Sequence, residues 1–295
     1  MKRLAVLASI VVAGLTAAGL SAQAPAGPGE IVQVSDNVWK VFGAGGNTTV
    51  FVRSDGVALV DTKLAGNGEA ILARVRQVTA KPVTLIINTH SHGDHVGSNS
   101  EIEAGGDIEI IAHDSTATRM DAMEGVGAPH LVFGDRMTLG EGADRIELYW
   151  FGAGHTDGDA FVVFPAERTM AAGDIYQLQA MPRIDRASGG SALALPVTLT
   201  QALYGIEGVD KVIDGHGDQV RTWQEFRSYV TFTRAVAQAA RQTQRMGGTP
   251  EQALASLERN PGFLLFLDEG GPAGNTPKAR ALTALTTAFA ELRGE

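Results

Sequence analysis

The chain has 295 residues, which fits one large domain or two small ones, and 44% of them are hydrophobic, enough for a sizeable core. There is no cysteine, so disulfide cross-links and every zinc site that needs a thiolate are excluded. The formal net charge is −9 and no basic run is present, which disfavours a nucleic-acid partner.

The N-terminus has the features of a secretory signal. Lys2 and Arg3 precede the uncharged run Leu4–Leu20, and Ala22-Gln23-Ala24 satisfies the small-x-small cleavage rule. An uncleaved membrane anchor and an ordinary buried helix are the alternatives. We predict a Sec-type signal peptide, a Pro/Gly linker and a single mature domain, at residues 1–24, 25–30 and 31–295. The mature protein would be periplasmic or secreted, without a stable membrane span.

Apolar alternation and helical spacing predict the following elements. The first half has strands at 38–42, 48–53, 57–61, 83–88 and 108–112, and helices at 69–78, 97–104 and 115–123. The second half has strands at 136–139, 145–151, 160–164, 169–172 and 211–213, and helices at 195–206, 222–245 and 281–292. Both halves combine strands, a polar loop and a helix, which predicts two packed sheets with helices outside. Tyr229, Phe232 and Val236 share one helix face and are expected in the core.

The segment most informative about chemistry is residues 90–95, His-Ser-His-Gly-Asp-His, directly after the strand predicted at 83–88. Ends of strands are where active sites collect in layered α/β folds. On one extended turn, residues i and i+2 project to the same side, so His90 and His92 can bind one cation. Asp94 and His95 point elsewhere and can bind a second.

Three further glycine-containing loops follow apolar runs, and each offers one potential ligand. These ligands are His155, Asp174 and His216, in the sequences Gly-His-Thr, Gly-Asp and Gly-His-Gly. Of the two histidines outside such loops, His130 is expected to be structural. His113 ends a strand predicted next to the one that carries the ligand loop, so either a pocket role or a structural role is open.

The run H-x-H-x-D-H, followed in order by G-H-T-x-G, G-D and G-H-G, resembles the metallo-β-lactamase superfamily of metallohydrolases. The motifs span residues 90–217. The resemblance implies an α/β fold, the four-layer αββα sandwich of that family. It is specific for the fold and the metal site. It does not define the substrate, because the superfamily includes β-lactamases, glyoxalase II thioesterases, lactonases, sulfatases, nucleases and flavodiiron proteins.

The resemblance also implies a ligand set for two metals. A first metal would have His90, His92 and His155, a second Asp94, His95 and His216, and Asp174 would bridge them as in the glyoxalase II and lactonase branches. Imidazole and carboxylate suit zinc where no thiolate exists, so two Zn²⁺ ions are expected, with other divalent metals open. Ions about 3.5 Å apart would share a hydroxide, since the pKa of bound water falls to about 7. Asp94 would be catalytic by orienting that hydroxide and receiving its proton.

At several positions this sequence differs from the pattern of a particular branch of the superfamily, and these differences reduce the number of branches that fit. β-Lactamases with cysteine on the second metal are excluded, and Asp174 counts against the cysteine-free branch, which does not usually carry the bridging carboxylate. His92 stands where flavodiiron proteins have Glu, which favours zinc over di-iron. Acidity and export disfavour the nuclease branch.

We therefore predict an exported zinc-dependent hydrolase in which the bridging hydroxide attacks a carbonyl of a small-molecule substrate: an ester, thioester, lactone or lactam. A true β-lactamase of the cysteine-free branch is one alternative. A non-catalytic, metal-holding periplasmic accessory protein is another.

The irregular segment 177–197 begins close to Asp174, and long loops at such places often hold substrates. Met181 and Arg183 are predicted to bind substrate, as part of an apolar floor and a cationic rim for a carboxylate. A solvated crossover loop is the alternative. By resemblance, the turn at 43–47 is expected to overhang the pocket.

Three acidic residues near the motifs are expected to support the site. Asp157 and Asp159 follow His155 closely and are expected to support ligating histidines or to cap the loop. Asp61 ends the strand predicted at 57–61, so it either forms a hydrogen bond behind the site or is a turn residue.

Overall fold

Two β-sheets pack against each other through their inner faces, and helices cover their outer faces. The computed structural model describes residues 27–177, 179–272 and 274–295, so the predicted signal peptide at 1–24 lies outside the described residues. None of the helices in this described part has the length and apolarity of a bilayer span.

Both sheets are mixed. The first has seven strands in sequence order, antiparallel from β1 to β4 and parallel from β4 to β7. Its strands are β1 (Ile31–Gln33), β2 (Val38–Val41), β3 (Thr48–Val52), β4 (Val57–Val60), β5 (Val83–Asn88), β6 (Glu109–His113) and β7 (Leu131–Phe133). The second has six strands, from β8 at one edge to β13 at the other, and only its β11–β12 pair is parallel. Its strands are β8 (Arg136–Leu139), β9 (Ile146–Tyr149), β10 (Phe161–Phe164), β11 (Thr169–Ala171), β12 (Lys211–Ile213) and β13 (Arg221–Thr222).

Strand β4 shows why the central strands are apolar throughout. Val57 and Leu59 pack outward under the helices, while Ala58 and Val60 pack into the core between the sheets. Alternate residues of a strand point to opposite faces, and here both faces are covered. Side chains from both sheets form the inner core, which therefore joins the two halves of the chain.

The helices complete a four-layer arrangement. Helices α1 and α3 pack on the first sheet, and α5 to α8 pack on the second. Their bounds are α1 (Gly68–Val75), α2 (Gly93–Val96), α3 (Asn99–Glu103), α4 (Asp114–Met120), α5 (Leu195–Gly205), α6 (Trp223–Arg245), α7 (Pro250–Glu258) and α8 (Pro277–Arg293). Thr222 and Glu225 form a reciprocal capping box that begins α6. The predicted fold class, an α/β sandwich with helices outside two sheets, is confirmed.

Most predicted elements are present, with ends shifted by a few residues. The short strands β1, β7 and β13 and the helices α2 and α7 were not predicted. Tyr229, Phe232 and Val236 are at most 1% exposed, which confirms their predicted place in the core.

Parallel pairing brings the candidate ligands to one edge. Strands β4 and β5 are parallel neighbours, so the residues after them, Asp61 and His90, leave the sheet on the same side. Strands β11 and β12 are likewise parallel, and they are followed by Asp174 and His216. Residues from both sheets therefore converge at one end of the sandwich.

Candidate metal centre

The first group of converging side chains contains His90, His92 and His155. Nε2 of His90 lies 3.2 Å from Nδ1 of His92, and Nε2 of His155 lies 3.0 Å from the same atom. His92 is in an extended conformation just before α2, which turns its ring toward His90. Three imidazole nitrogens thus face one point, where they could bind one metal ion.

The second group contains Asp94, His95 and His216. Nε2 of His216 lies 3.4 Å from Nε2 of His95 and 3.3 Å from Oδ2 of Asp94. Helix α2 places Asp94 and His95 on successive positions of one turn, while His216 arrives from the loop after β12. These atoms also meet at one point.

Asp174 lies between the two groups. Its Oδ1 is 3.2 Å from Nε2 of both His95 and His216, and its Oδ2 is 3.8 Å from Nε2 of His155. The side chain is 8% exposed, so a carboxylate is held in a nearly closed position between two sets of nitrogens. The structure therefore brings together all seven residues that the sequence suggested as ligands.

The donor set fits divalent metal ions. Oδ1 of Asp174 is buried, and no described donor reaches it with hydrogen-bond geometry, although Nε2 of His95 and of His216 lie 3.2 Å away. Neighbouring ring nitrogens face each other at 3.0 to 3.2 Å in the first group, although two unprotonated nitrogens in such contact repel each other. A cation at each point would remove both costs, and an all-imidazole and carboxylate set without thiolate suits zinc.

Hydrogen bonds behind the rings select the nitrogen that faces the centre. Nδ1 of His95 donates to Oδ2 of Asp61 over 2.7 Å, which leaves Nε2 of His95 facing the second group. The Thr89 hydroxyl donates to the same carboxylate over 2.7 Å and lies 3.1 Å from Nδ1 of His90. Asp61 is therefore a hydrogen-bonding residue behind both groups, not merely a turn residue.

Two further hydrogen bonds to the histidine rings come from the loop before α5. Oδ2 of Asp185 lies 2.8 Å from Nε2 of His92, so His92 faces the centre through its other nitrogen, Nδ1. Nδ1 of His155 donates to the backbone carbonyl of Arg183. Asp185 was missed in the sequence because 93 positions separate it from His92 and no motif surrounds it.

Charge is distributed unequally between the two groups. Burial alone would lower the pKa of His95, but Asp174 and Asp61 raise it well above its ordinary value. Burial would raise the pKa of Asp174, but His95 and His216 hold it well below its usual range. Burial would lower the pKa of His216, but Asp174 helps to raise it to about 9. Burial lowers the pKa of His155 to about 4. Protons thus occupy the carboxylate-rich group and would be displaced by a bound metal.

A cavity of about 430 Å³ opens onto these side chains. Besides ligand residues, it is lined by Gln177, Arg183, Asn275 and Arg280. A larger groove, about 720 Å³, lies between α5 and α6 and has no histidine or carboxylate in its lining, so we place the chemistry in the smaller cavity.

Of the two residues predicted to bind substrate, Arg183 lines the cavity and Met181 does not. Met181 is fully buried in the core under α5 to α8, because its loop folds back beneath those helices. The prediction that Met181 forms an apolar floor of the cavity is therefore wrong. Asn275 and Arg280, which do line the cavity, come from the distant C-terminal region and were not predicted.

The turn at 43–47 contacts the ligands from another side and does not line the cavity. The Gly46 amide donates to the carbonyl of Asp94 over 2.9 Å. A Cβ added at Gly46 would lie 2.3 Å from the His95 ring, so only glycine allows this approach. The turn thus packs against the second group.

The remaining candidates lie around the centre. Asp159 accepts from the amide and hydroxyl of Thr156 and so caps the loop of His155, and burial raises its pKa to about 7. Asp157 pairs with Arg119 over 2.6 Å.

Neither of the remaining histidines lines the cavity. The His113 ring stacks on Trp150 with ring centroids 4.7 Å apart. Nε2 of His130 lies 2.9 Å from Glu103 and half of its side chain is exposed, as expected for a structural residue.

The family model of the metallo-β-lactamase superfamily matches residues 41–232, which include both groups and Asp174. With this match and the four-layer fold, the chain belongs to the metallo-β-lactamase superfamily. Its clustered histidine and aspartate side chains are candidate metal ligands.

Similar proteins include members with different activities. The hydroxyacylglutathione hydrolase of Rhodospirillum rubrum is 31% identical over 133 residues, which are 45% of this chain and 48% of that enzyme. The chain thus spans about half the length of this relative. A metallo-β-lactamase type 2 of Bacillus sp. (strain 170) is 24% identical over 63% of this chain and 76% of that protein. A double mutant of the sec-alkyl sulfatase PisA1 has a similar fold, with a TM-score of 0.69, 13% identity, and coverage of 90% of this chain and 50% of that one.

Proposed function

We propose that this protein is a zinc-dependent hydrolase that attacks a carbonyl: an ester, thioester, lactone or lactam. The observation that carries the proposal is the position of Asp174, whose two carboxylate oxygens face separate groups of ligand atoms. A carboxylate between two three-residue groups could contact both ions of a two-metal hydrolytic centre.

The first group would hold one zinc ion and the second group another, with Asp174 in contact with both. When bound, the ions would supply Lewis acidity and lower the pKa of water toward about 7. The Asp94 side chain lines the cavity and is 31% exposed, which supports a role for its carboxylate in orienting the attacking water and accepting its proton. Asp61 and Asp185 would keep the rings of His95 and His92 in place.

The test combines metal analysis with a substrate panel. Purified protein reconstituted with zinc is assayed on ester, thioester, lactone and lactam substrates, with and without EDTA. We expect His92→Ala to lose bound zinc and at least about a hundred-fold in kcat/KM, because one ligand of the first group is removed. His130→Ala, which removes an exposed histidine outside the cavity, is the matched control. Equal activity in wild type and His92→Ala would refute the metal mechanism.

A true β-lactamase is the second candidate, favoured by the similarity to the Bacillus metallo-β-lactamase over 76% of that protein. It predicts turnover of nitrocefin or imipenem that EDTA abolishes. Absence of lactam turnover by the zinc-loaded protein, together with thioester or ester turnover, would reject this candidate. Full zinc loading without hydrolysis of any panel member would instead support a metal-holding accessory protein.

We also propose export with removal of residues 1–24. The support is the charged start, the uncharged run and the small-x-small sequence of the N-terminus. N-terminal sequencing of protein from a periplasmic fraction tests it. A start near residue 25 is expected, and an intact N-terminus in the cytoplasmic fraction would contradict it.

A further inference from the structure

Arg280, near the start of α8, projects into the cavity of the metal centre. Its guanidinium donates to Oε1 of Gln177, and Nε2 of Gln177 donates to Oδ2 of Asp174 over 3.0 Å. One side chain therefore connects Arg280 to the carboxylate between the two ligand groups. The C-terminal helix thus forms part of the cavity wall, although the family match ends at residue 232.

Arg280 is a partly buried cation without an acidic partner. No ion pair with Arg280 occurs in the described part of the chain, whereas Arg119, Arg168 and Arg221 each pair with an aspartate. Among the described residues, its guanidinium donates to the neutral amide of Gln177, whereas Oδ1 of Asp174 faces Nε2 of His95 and of His216 at 3.2 Å. Removing a charge from water without a counter-charge is unfavourable, so an anion entering the cavity would be bound there favourably.

The rest of the cavity wall is suited to the same anion. Arg183 is exposed, lines the same cavity and has no ion pair among the described residues. Gln177 and Asn275 add neutral amide groups. A guanidinium presents parallel N–H donors that match the two oxygens of a carboxylate.

We propose that Arg280, assisted by Arg183, binds a carboxylate of the substrate that is separate from the bond being broken. The substrate is then an anionic carbonyl compound. This inference rests on the proposed hydrolytic function and adds the class of substrate to it. Arg280 acts in binding, and the chemistry at the carbonyl belongs to the metal centre.

The test uses two esters of equal size that differ in charge: p-nitrophenyl hydrogen glutarate and the p-nitrophenyl ester of glutaramic acid. We expect the zinc-loaded wild type to prefer the charged ester by about ten- to hundred-fold in kcat/KM, the effect of a charge-assisted hydrogen bond. Arg280→Gln should lose this preference, measured as the ratio of kcat/KM for the two esters, because only the charged ester loses its guanidinium partner. Arg280→Lys should keep part of the preference. Arg241→Gln, on the outer face of α6, makes the same charge change outside the cavity and should behave as wild type.

A binding measurement separates failure of this inference from failure of the proposed function. Calorimetry with glutarate and glutaramide measures the same charge preference without turnover, in zinc-loaded and in metal-free protein. Tighter binding of glutarate that disappears in Arg280→Gln supports the inference even if neither ester is hydrolysed. Equal binding of both ligands, or an equal loss for both esters in Arg280→Gln, would overturn it.

Discussion

Replacing Asp61 by asparagine would remove the carboxylate that supports both ligand groups. Asp61 is 2% exposed and accepts from the amide and hydroxyl of Thr89 and from Nδ1 of His95, all within 2.8 Å. Asparagine has one oxygen in place of two. If that oxygen keeps the Thr89 amide, the new NH₂ group faces His95, whose Nδ1 must then accept. The ring proton would move to Nε2, the atom that faces the second group.

The expected loss is about ten- to hundred-fold in zinc affinity, the usual effect of removing such a support. This corresponds to about 1.4 to 2.7 kcal/mol. The second group should lose more than the first, because His95 contacts Asp61 directly and His90 contacts it through the Thr89 hydroxyl. At limiting free zinc, the variant should therefore bind about one ion per chain where the wild type is expected to bind about two.

Competition with a chromophoric chelator, combined with elemental analysis, measures both affinities. Circular dichroism shows whether the variant is folded, since loss of a buried charge also destabilises the native state. Asp210→Asn is the matched control, because Asp210 forms an exposed pair with Arg168 far from the ligands. Equal zinc affinity at the second group in Asp61→Asn and wild type would refute this account of the tautomer.

Two other changes probe the second group. Gly46→Ala places a Cβ against the buried His95 ring while leaving an allowed backbone conformation. Because the ring must shift, zinc stoichiometry by elemental analysis should fall toward about one and the melting temperature should also fall. In metal-free protein the pKa of His216 is raised to about 9, so its stabilising charge is complete below about pH 6.5 and is lost as pH rises through 9. Urea unfolding should therefore show the wild type losing stability relative to His216→Asn between these values, and parallel profiles would contradict the assignment.

Local sequence was sufficient to suggest the candidate ligands. His90, His155 and His216 each follow an apolar run within a glycine-containing loop, and both features belong to a few consecutive residues. The strand ends that carry them were also predictable, because buried strands have both faces covered and read as continuous apolar runs. Strand β7 was missed, although it is no shorter than β11 and β12, and its pairing with β6 defines it.

Contacts between distant parts of the chain could not be predicted. Asp185 lies 93 positions from His92, and Arg280 lies 103 positions from Gln177, so no local pattern links them. Met181 was assigned to the substrate because its loop begins near the ligands, yet packing under the helices buries it completely. Which side chains of an irregular loop face a cavity depends on the elements packed against that loop.

The amino-acid sequence by itself determined the chemical type of the ligands, their grouping along the chain and the absence of thiolate. Tertiary structure decided which nitrogen of each ring faces the centre, that Asp174 lies between the groups, and that a C-terminal arginine reaches the cavity. The physical reason is the separation along the chain of the residues that interact. Local backbone preference sets where a ligand leaves a strand, whereas ring orientation and charge balance depend on hydrogen bonds and packing with residues far away in sequence.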